Sequence, residues 1–444
     1  MSEEATLDDF GGEADNEKVV DEHPRFGFLP DEWRISEISE VAEVVGGSTP
    51  STNNEDYWGG GIPWATPTDI TGLSGNTISE TEDTLTEEGL ESTSTHLLPP
   101  KSVLMTSRAT IGKCAVNTVE MATNQGFKSL VPSEEVEPWY LHYRMLDTAP
   151  FLNSLGSGST FDEVSKTEVQ SVDIPIPPLE EQRKIATVLY TVDRAIEKTE
   201  EIVEQATRVR KGLHQTLFRE WSEETNKDPL AGEYPADWEL KTLSDVVTVT
   251  DAEHFTPDYV ESGIPVLRPG DLTPGRISLE NVEKQVDEET YEELTNRYTP
   301  TSDDIVYSRS QNFAVASQII EDERYCLGQD MVVIEPEELN ATFLLHLLNS
   351  PVVRNQAIRR STGSTFSRVN LGDIRSYRVP IPSNEVQRTI AGVIAKAEER
   401  IRIEKEIENQ LNCLRRGLMQ DLLSGTIRTT DTNIEVPEEI TQHG

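Results

Sequence analysis

Between Arg354 and Arg378 stand six arginines (Arg354, Arg359, Arg360, Arg368, Arg375 and Arg378) against one acid, Asp373. Six bases less one acid give +5, in a chain whose formal net charge is −41. Such a concentration of Arg points to contact with a polyanion, because neutralising phosphates takes clustered Lys and Arg. The same stretch carries Ser361-Thr362-Gly363-Ser364-Thr365, whose hydroxyls and backbone N–H groups suit phosphate oxygens. The matching run around Ser159 and Thr160 keeps the small residues, but Lys166 is its one base. A second set is Thr106-Ser107-Arg108 with Lys113, Asn124, Gln125 and Lys128, answered by Ser308-Arg309, Gln311, Asn312, Gln329 and Asp330; Arg268 joins the candidates. Arg, Asn and Gln are the side chains that read guanine and adenine edges in bidentate fashion. The bland alternative is a solvated basic face pairing with surrounding carboxylates.

Catalytic constellations are missing from the sequence. Ile111-Gly112-Lys113-Cys114 has the Gly-Lys pair of a phosphate-binding loop without its earlier glycine or its Ser/Thr. There is no GxSxG elbow, no HExxH and no Asn/Asp-Pro-Pro-Tyr segment of the kind an amino-methylating enzyme uses on a flipped base. Cys114, Cys326 and Cys413 stand far apart with no CxxC spacing, so neither a disulfide framework nor a metal site is expected, and no cofactor. His142 and His346 recur in apolar helical stretches and read as packed structural histidines.

The elements that carry these groups come in two copies. Pro30-Asp31-Glu32-Trp33 recurs as Pro235-Ala236-Asp237-Trp238, Ser107-Arg108 as Ser308-Arg309, and Leu141-His142-Tyr143 as Leu345-His346-Leu347. From Gly158 to Val188, fifteen of 31 positions equal the residue 205 later. A unit of that length is far longer than a solenoid repeat and can hold its own core. Each copy opens with a Gly-, Pro-, Ser- and Thr-rich segment of short apolar runs, which predicts a mixed α/β domain over 28–178 and again over 233–383. Each then runs into a long helix, over 179–219 and 384–424, with a linker at 220–232.

In the helices, apolar residues step by three and four: Ile185, Leu189, Val192, Ile196, Ile202, Ala206, Val209, Leu213 and Leu217, then Ile390, Ile394, Ala397, Ile401, Ile407, Leu411, Leu414, Leu418 and Leu422. Thr199 and Glu404 are the polar steps. Pro177 and Pro178 forbid an earlier start, Asn384 with Gln387 suggests a capping box, and Gly425 suits the stop. Each helix would be about 60 Å long. A narrow seam needs a partner, and the two helices can pair antiparallel within one chain or between chains. The fold class is therefore α+β, a tandem duplication of a mixed α/β domain plus a long helix, with the helices as an antiparallel coiled coil.

Composition sets the remaining limits. With 444 residues, 80 Asp+Glu and 39 Lys+Arg, of which 13 are Lys, the chain is strongly acidic throughout. This fits either a carboxylate surface adapted to high salt or an acidic surface with a function of its own. The acidic stretches 1–27 and 429–444 read as solvated disordered tails, the latter within a C-terminal tail over 425–444. MSEEATLDDF lacks the positive and apolar regions of a secretory signal, and no apolar run is long enough to span a membrane, so a cytoplasmic protein is expected.

PDEW and PADW, GSGSTF and STGSTF, IPIPPLEEQRKIATVL and VPIPSNEVQRTIAGVI, and the closing LRRGLMQDLLSGTIR resemble the specificity (S) subunits of type I restriction-modification systems. The resemblance covers residues 28–428. It implies two target-recognition domains, each reading half of a bipartite double-stranded DNA sequence, and paired helices that dock two methyltransferase (M) subunits. The M subunits would methylate adenine using S-adenosylmethionine, and restriction (R) subunits would add translocation and cleavage with ATP and Mg2+. The S subunit itself would be non-catalytic. Trp33–Pro178 has 21 acids against 7 bases and Pro235–Pro382 has 25 against 13, so DNA should be met through few, local phosphate contacts. The rival reading is an acidic coiled-coil scaffold that gathers protein partners without DNA.

Overall fold

The computed structural model describes residues 23–156, 163–218, 221–320, 322–361 and 368–441. These form two units, residues 1–200 with 407–444, and residues 201–406.

In the first unit, β1 (Arg34–Glu37) is followed by α1 (Ile38–Val41), and the main sheet has the order β2 (Ala42–Gly46), β9 (Lys128–Pro132), β6 (Val103–Met105), β7 (Cys114–Asn117), β4 (Thr77–Ile78). A second sheet sets β3 (Trp58–Ala65) between β5 (Asp83–Leu85) and β8 (Ala122–Thr123), and short helices α2 (Pro67–Thr71) and α3 (Glu87–Glu91) fill connections. Then come α4 (Pro138–Gly156), α5 (Lys166–Gln170), β10 (Asp173–Ile176) and the long α6 (Leu179–Thr216).

The second unit repeats this plan. After the hairpin of β11 (Thr225–Asp228) and β12 (Gly232–Pro235), β13 (Glu239–Thr242) leads into a five-stranded sheet. Its order is β14 (Thr248–Asp251), β21 (Met331–Glu335), β18 (Ile305–Ser308), β19 (Ala316–Ile319), β16 (Gly275–Ile277). The three-stranded sheet has β15 (Ile264–Leu267) between β17 (Gln285–Val286) and β20 (Cys326–Leu327). Helices α7 (Glu288–Leu294), α8 (Ala341–Asn349), α9 (Pro351–Arg360) and α10 (Leu371–Arg375), strand β22 (Arg378–Ile381) and the long α11 (Asn384–Leu423) complete the chain's main elements.

The copies agree in register as well as order. β1 pairs antiparallel with β10 at Arg34↔Ile176, and β13 with β22 at Glu239↔Ile381, both partners displaced by 205 residues. The ladder tolerates Pro175 and Pro380 because it has only two strands, leaving an open edge where a missing N–H does no harm. Inside the domains, loop lengths differ and the offset changes. Backbone bonds from Thr106 N to Lys113 O and from Ser308 N to Val315 O fix it at 202 around the β6–β7 loop. Bonds from Asn124 N to Ala65 O and Gly328 N to Leu267 O are 204 apart at the donors. Two sequence matches are thereby corrected. Arg309 stands where the first copy has Ser107, and Arg108 is answered by Ser310.

The long helices begin by closing the domains. Ile185 and Leu189 enter the first core with Trp33, Tyr140 and Leu423, and Ile390 and Ile394 enter the second with Trp238, Tyr307 and Phe343. The seam is thus shared: its first turns bury against the α/β domain. Ile196 and Ile401 are buried further along, Val192, Leu213, Ala397 and Leu418 are half-buried, while Val209, Ile407 and Leu414, expected in the seam, are exposed. In the first unit, Arg415 Nε meets Asp193 Oδ1 at 2.5 Å, while burial and then the charge of nearby Glu408 raise the Glu200 pKa. Moving from 193 to 200 on one helix matches moving from 415 to 408 on the other, so they run antiparallel. In the second unit the equivalent pair, 205 residues displaced, is Glu398 with Arg210 at 3.9 Å.

Glutamines set how each domain meets its helix. Gln182 accepts from Glu137 N at 2.9 Å and donates to the carbonyls of Pro177 and Glu135. Gln387 accepts from Asn340 N at 3.0 Å and donates to Pro382 O. The expected Asn384–Gln387 capping box is absent, because Gln387 turns inward to this clamp; Ser383 Oγ receives the Val386 N–H instead. The clamps also align α4 with α8 at an offset of 203, so Tyr143 answers His346, and His142 answers Leu345.

Two segments outside the main domains carry structure of their own. The linker 220–232 contributes β11 and part of the hairpin. The segment after Gly425 is no free tail: Ile440 is buried in the first core and Arg428 Nε donates to the buried Glu181 at 2.7 Å. Trp33 Nε1 donates to the same carboxylate at 3.0 Å. Val386 replaces that acid in the second copy, and Trp238 Nε1 has no acceptor among the described residues.

Candidate nucleic-acid interface

In each domain the loop joining the two central antiparallel strands, β6–β7 or β18–β19, meets the turn that follows the parallel strand β8 or β20. Both loops use left-handed backbone at matched places, Ala109 (φ 62) and Gly112 (φ 85) in one, Gln311 (φ 51) and Ala314 (φ 57) in the other. Gly112 suits such a turn, whereas Gln311 holds an uncommon conformation for a side chain of its size.

In the first unit this meeting gathers Arg108, Asn124 and Gln125. A Cβ added at Gly126 would lie 3.0 Å from Asn124 Oδ1 and 3.3 Å from Arg108 Nε, so the glycine admits both side chains. Gln125 accepts from the Thr49 hydroxyl, and Arg108 is half-exposed, its guanidinium without a hydrogen-bond partner among the described residues. In the second unit, Arg268, Gln311 and Gln329 line one groove of about 380 Å³ with Tyr259, Thr256 and Asp330. Gln329 Nε2 donates to Thr256 Oγ1 at 3.0 Å, a Gln–Thr pair like Gln125 with Thr49. Elsewhere the readers differ while the scaffold agrees. Thr66 N donates to Asp69, and Arg268 N to Asp271, in the same capping turn, so Arg268 replaces Thr66. The Asp271 hydrogen bonds raise the Arg268 pKa further above its ordinary value.

Several of the expected contact residues are buried or engaged by partners of their own unit. Arg309 is 5% exposed; its Nε donates to Val369 O at 3.1 Å and its Nη1 to Asp251 Oδ1 at 2.8 Å, so it supports the domain from inside. Lys128 pairs with Glu163 at 3.2 Å and Arg368 with Asp330 at 2.7 Å. Asn312 Nδ2 donates to Gly270 O and Leu272 O, tying two loops together. The arginine cluster is also dispersed. Arg359 donates to Pro229 O, Arg360 to Asp373 O and Ser376, Arg375 to Val249 O, and Arg378 to Thr242 Oγ1. Their guanidinium groups tie together turns, strands and helix ends of their own unit, as buried or half-buried polar groups require.

Lys166 is exposed at the start of α5 and Lys113 lines a cavity of about 560 Å³ beside Asp193 and Arg415, away from Arg108. Ser159, Thr160, Ser364 and Thr365 lie outside the described residues. Among the described residues no helix is long and apolar enough to cross a membrane.

The sequence reasoning missed a group in the second unit. His214, His346 and Glu398 bring their ligand atoms within 4.8 Å of one another. Burial pushes the His346 pKa down to about 3 and the His214 pKa to about 4, so both imidazoles are neutral at pH 7. No short motif could reveal residues so far apart in sequence.

Two successive copies of a domain class, each a sheet-based reader joined to a helix that pairs with its twin, define the architecture. The family model for the type I restriction modification DNA specificity domain matches residues 30–208 and 235–413. This chain belongs to that family, as a specificity subunit of the type I restriction-modification class. It is 29% identical over 425 residues to the type I restriction enzyme MjaIX specificity subunit of Methanocaldococcus jannaschii, covering 91% of this chain and 96% of that one. It is 22% identical over 422 residues to the MjaVIII specificity subunit of the same organism, covering 91% and 95%. Its fold is similar to the crystal structure of the S subunit from M. genitalium, with a TM-score of 0.56 at 14% identity, covering 89% and 96%. A chain solved in work on the assembly of the type I R-M system gives a TM-score of 0.52 at 16% identity, covering 90% and 99%.

Proposed function

We propose that this chain is the DNA-reading, non-catalytic component of a cytoplasmic type I restriction-modification complex. Each recognition domain reads one half of a bipartite target in double-stranded DNA, and the paired helices dock two M subunits. These transfer methyl from S-adenosylmethionine to adenine, and R subunits bring ATP- and Mg2+-dependent cleavage. One observation carries the reading. Across the duplication the supporting parts are retained: sheet order, the β1–β10 register and the glutamine clamps. The polar side chains at the loop meeting are exchanged: Arg108, Asn124 and Thr66 in one copy give way to Ser310, Gly328 and Arg268 in the other. A constant scaffold with exchanged Arg, Asn and Gln side chains suits two different half-sites, since these residues distinguish base edges.

Exchange of residues 28–178 for the corresponding domain of the MjaIX subunit tests this directly. With M subunits present, the methylated motif should change in one half and keep the other. An unchanged motif, or loss of both halves from a complex that still assembles, would overturn the assignment of one domain to each half.

A further inference from the structure

His346 sits in α8 with its side chain 1% exposed, and its Nε2 has no hydrogen-bond partner among the described residues. A buried polar nitrogen left unpaired is uncommon and points to a missing ligand. Glu398 Oε2, from α11, lies 3.7 Å from that nitrogen. The ring of His214, from α6, stands edge-on to His346 with centroids 4.8 Å apart. All three line a cavity of about 430 Å³, together with Lys211, Asn355 and Ile358.

We propose that His214, His346 and Glu398 bind a divalent transition-metal ion of the zinc class. Two imidazoles and one carboxylate are a donor set that zinc accepts, leaving a fourth position towards the cavity. Donor atoms around tetrahedral zinc are about 3.4 Å apart, given bonds of about 2.0–2.1 Å. Rotation of the His214 and Glu398 side chains by about an ångström closes the observed spacing. Arg210 Nη1, 3.9 Å from Glu398 Oε1, opposes a cation, but it faces the oxygen turned away from His346. The bound ion would fasten three separate elements, α6, α8 and α11, and so hold the second recognition domain to its helices.

The first copy lacks the site for a visible reason. Tyr143 replaces His346 and Met419 replaces His214. Asp193, in place of Glu398, is already held by Tyr143 Oη and Asn76 Nδ2, both at 2.6 Å, and by Arg415. One ion per chain is therefore expected, and binding does not depend on whether the chain reads DNA.

The full chain, stripped with a chelator and titrated with Co2+, tests the site. The expected result is one equivalent bound with the intense visible absorption of a low-symmetry, four- or five-coordinate ion, released by Zn2+. His214→Gln and Glu398→Gln should each weaken binding at least about tenfold, since even outer-shell partners of a metal matter that much. His254→Gln, which removes an exposed histidine beside Asp251, should leave it unchanged. Thermal melts identify any variant that fails to fold, and the remaining one then carries the test. Weak, pale, multi-equivalent binding shared by wild type and both variants would be carboxylate-surface binding only, and would overturn the proposal.

Discussion

Lys128 Nζ lies 3.2 Å from Glu163 Oε1, joining the start of β9 to the segment before α5. The counterpart of Glu163 is Arg368, and it too is neutralised, by Asp330 at 2.7 Å. The signs are exchanged, and the partner has moved from the start of the strand into the turn before it, since Val332 answers Lys128 and Gly126 answers Asp330. What the duplication retains here is the pairing. Arg368 thereby anchors its segment to the turn before β21.

Breaking this half-buried pair should cost about 1–3 kcal/mol, between the values for exposed and buried pairs. Lys128→Glu alone is expected to lower stability in denaturant unfolding. Adding Glu163→Lys should recover most of the loss, as a coupled pair requires. A double variant no better than the sum of its singles would refute the pairing.

Gln182→Ala would leave Glu137 N–H and two carbonyls without their partner in a buried joint. A loss of about 2–4 kcal/mol is expected from several unmade bonds. Gln387→Ala should behave alike, and a loss below about 0.5 kcal/mol for both would show that the clamps are dispensable. Urea unfolding followed by circular dichroism provides the measurement.

Arg309→Ala and Arg108→Ala should separate stability from recognition. Arg309→Ala removes a buried guanidinium bonded to both Asp251 and Val369 O and should cost about 3 kcal/mol. Arg108→Ala should change stability by less than about 0.5 kcal/mol. On the proposed reading it should also weaken specific binding of the assembled complex by about 1–3 kcal/mol, measured by fluorescence anisotropy. The reverse pattern would exchange their roles.

His142 is fully buried among Trp139 and Tyr143, and burial first, then the Arg415 charge, brings its pKa down to about 3. The folded value lies below the unfolded value of about 6.5, so protonation favours unfolding. Its contribution is fully present above pH 6.5 and is lost as pH falls towards 3, by up to about 1.4 kcal/mol per pH unit. Neither ring nitrogen has a hydrogen-bond partner among the described residues, so His142→Phe should fold and show a shallower decline between pH 6 and 4. An unchanged slope would mean that the histidine does not titrate on unfolding.

Much of the architecture was legible because duplication writes the same elements twice. The 205-residue offset, the proline-bounded helix starts and the apolar steps at Ile185, Leu189, Ile390 and Ile394 all identified elements that the structure contains. The site was less legible. Loops of unequal length shift the offset to 202, 203 and 204, so matching dipeptides such as Ser107-Arg108 and Ser308-Arg309 misalign by one residue. One residue decides which side of a strand a chain presents, which is why Arg309 points into the domain. Arginine density is ambiguous as well: Arg360 and Arg375 donate to carbonyls, and Arg378 to the Thr242 hydroxyl, within their own domain. Nor could spacing assign Gln182 and Gln387, although both stood among the repeated positions.

The most direct test of sequence reading is a methylome. This chain, co-expressed with its M subunit in a host free of adenine methylation, should direct N6-methyladenine to one bipartite motif with a fixed gap. That methylation should vanish when the chain is omitted. An assembled, folded complex that places no methylation, or places it at the same sites without this chain, would contradict the account.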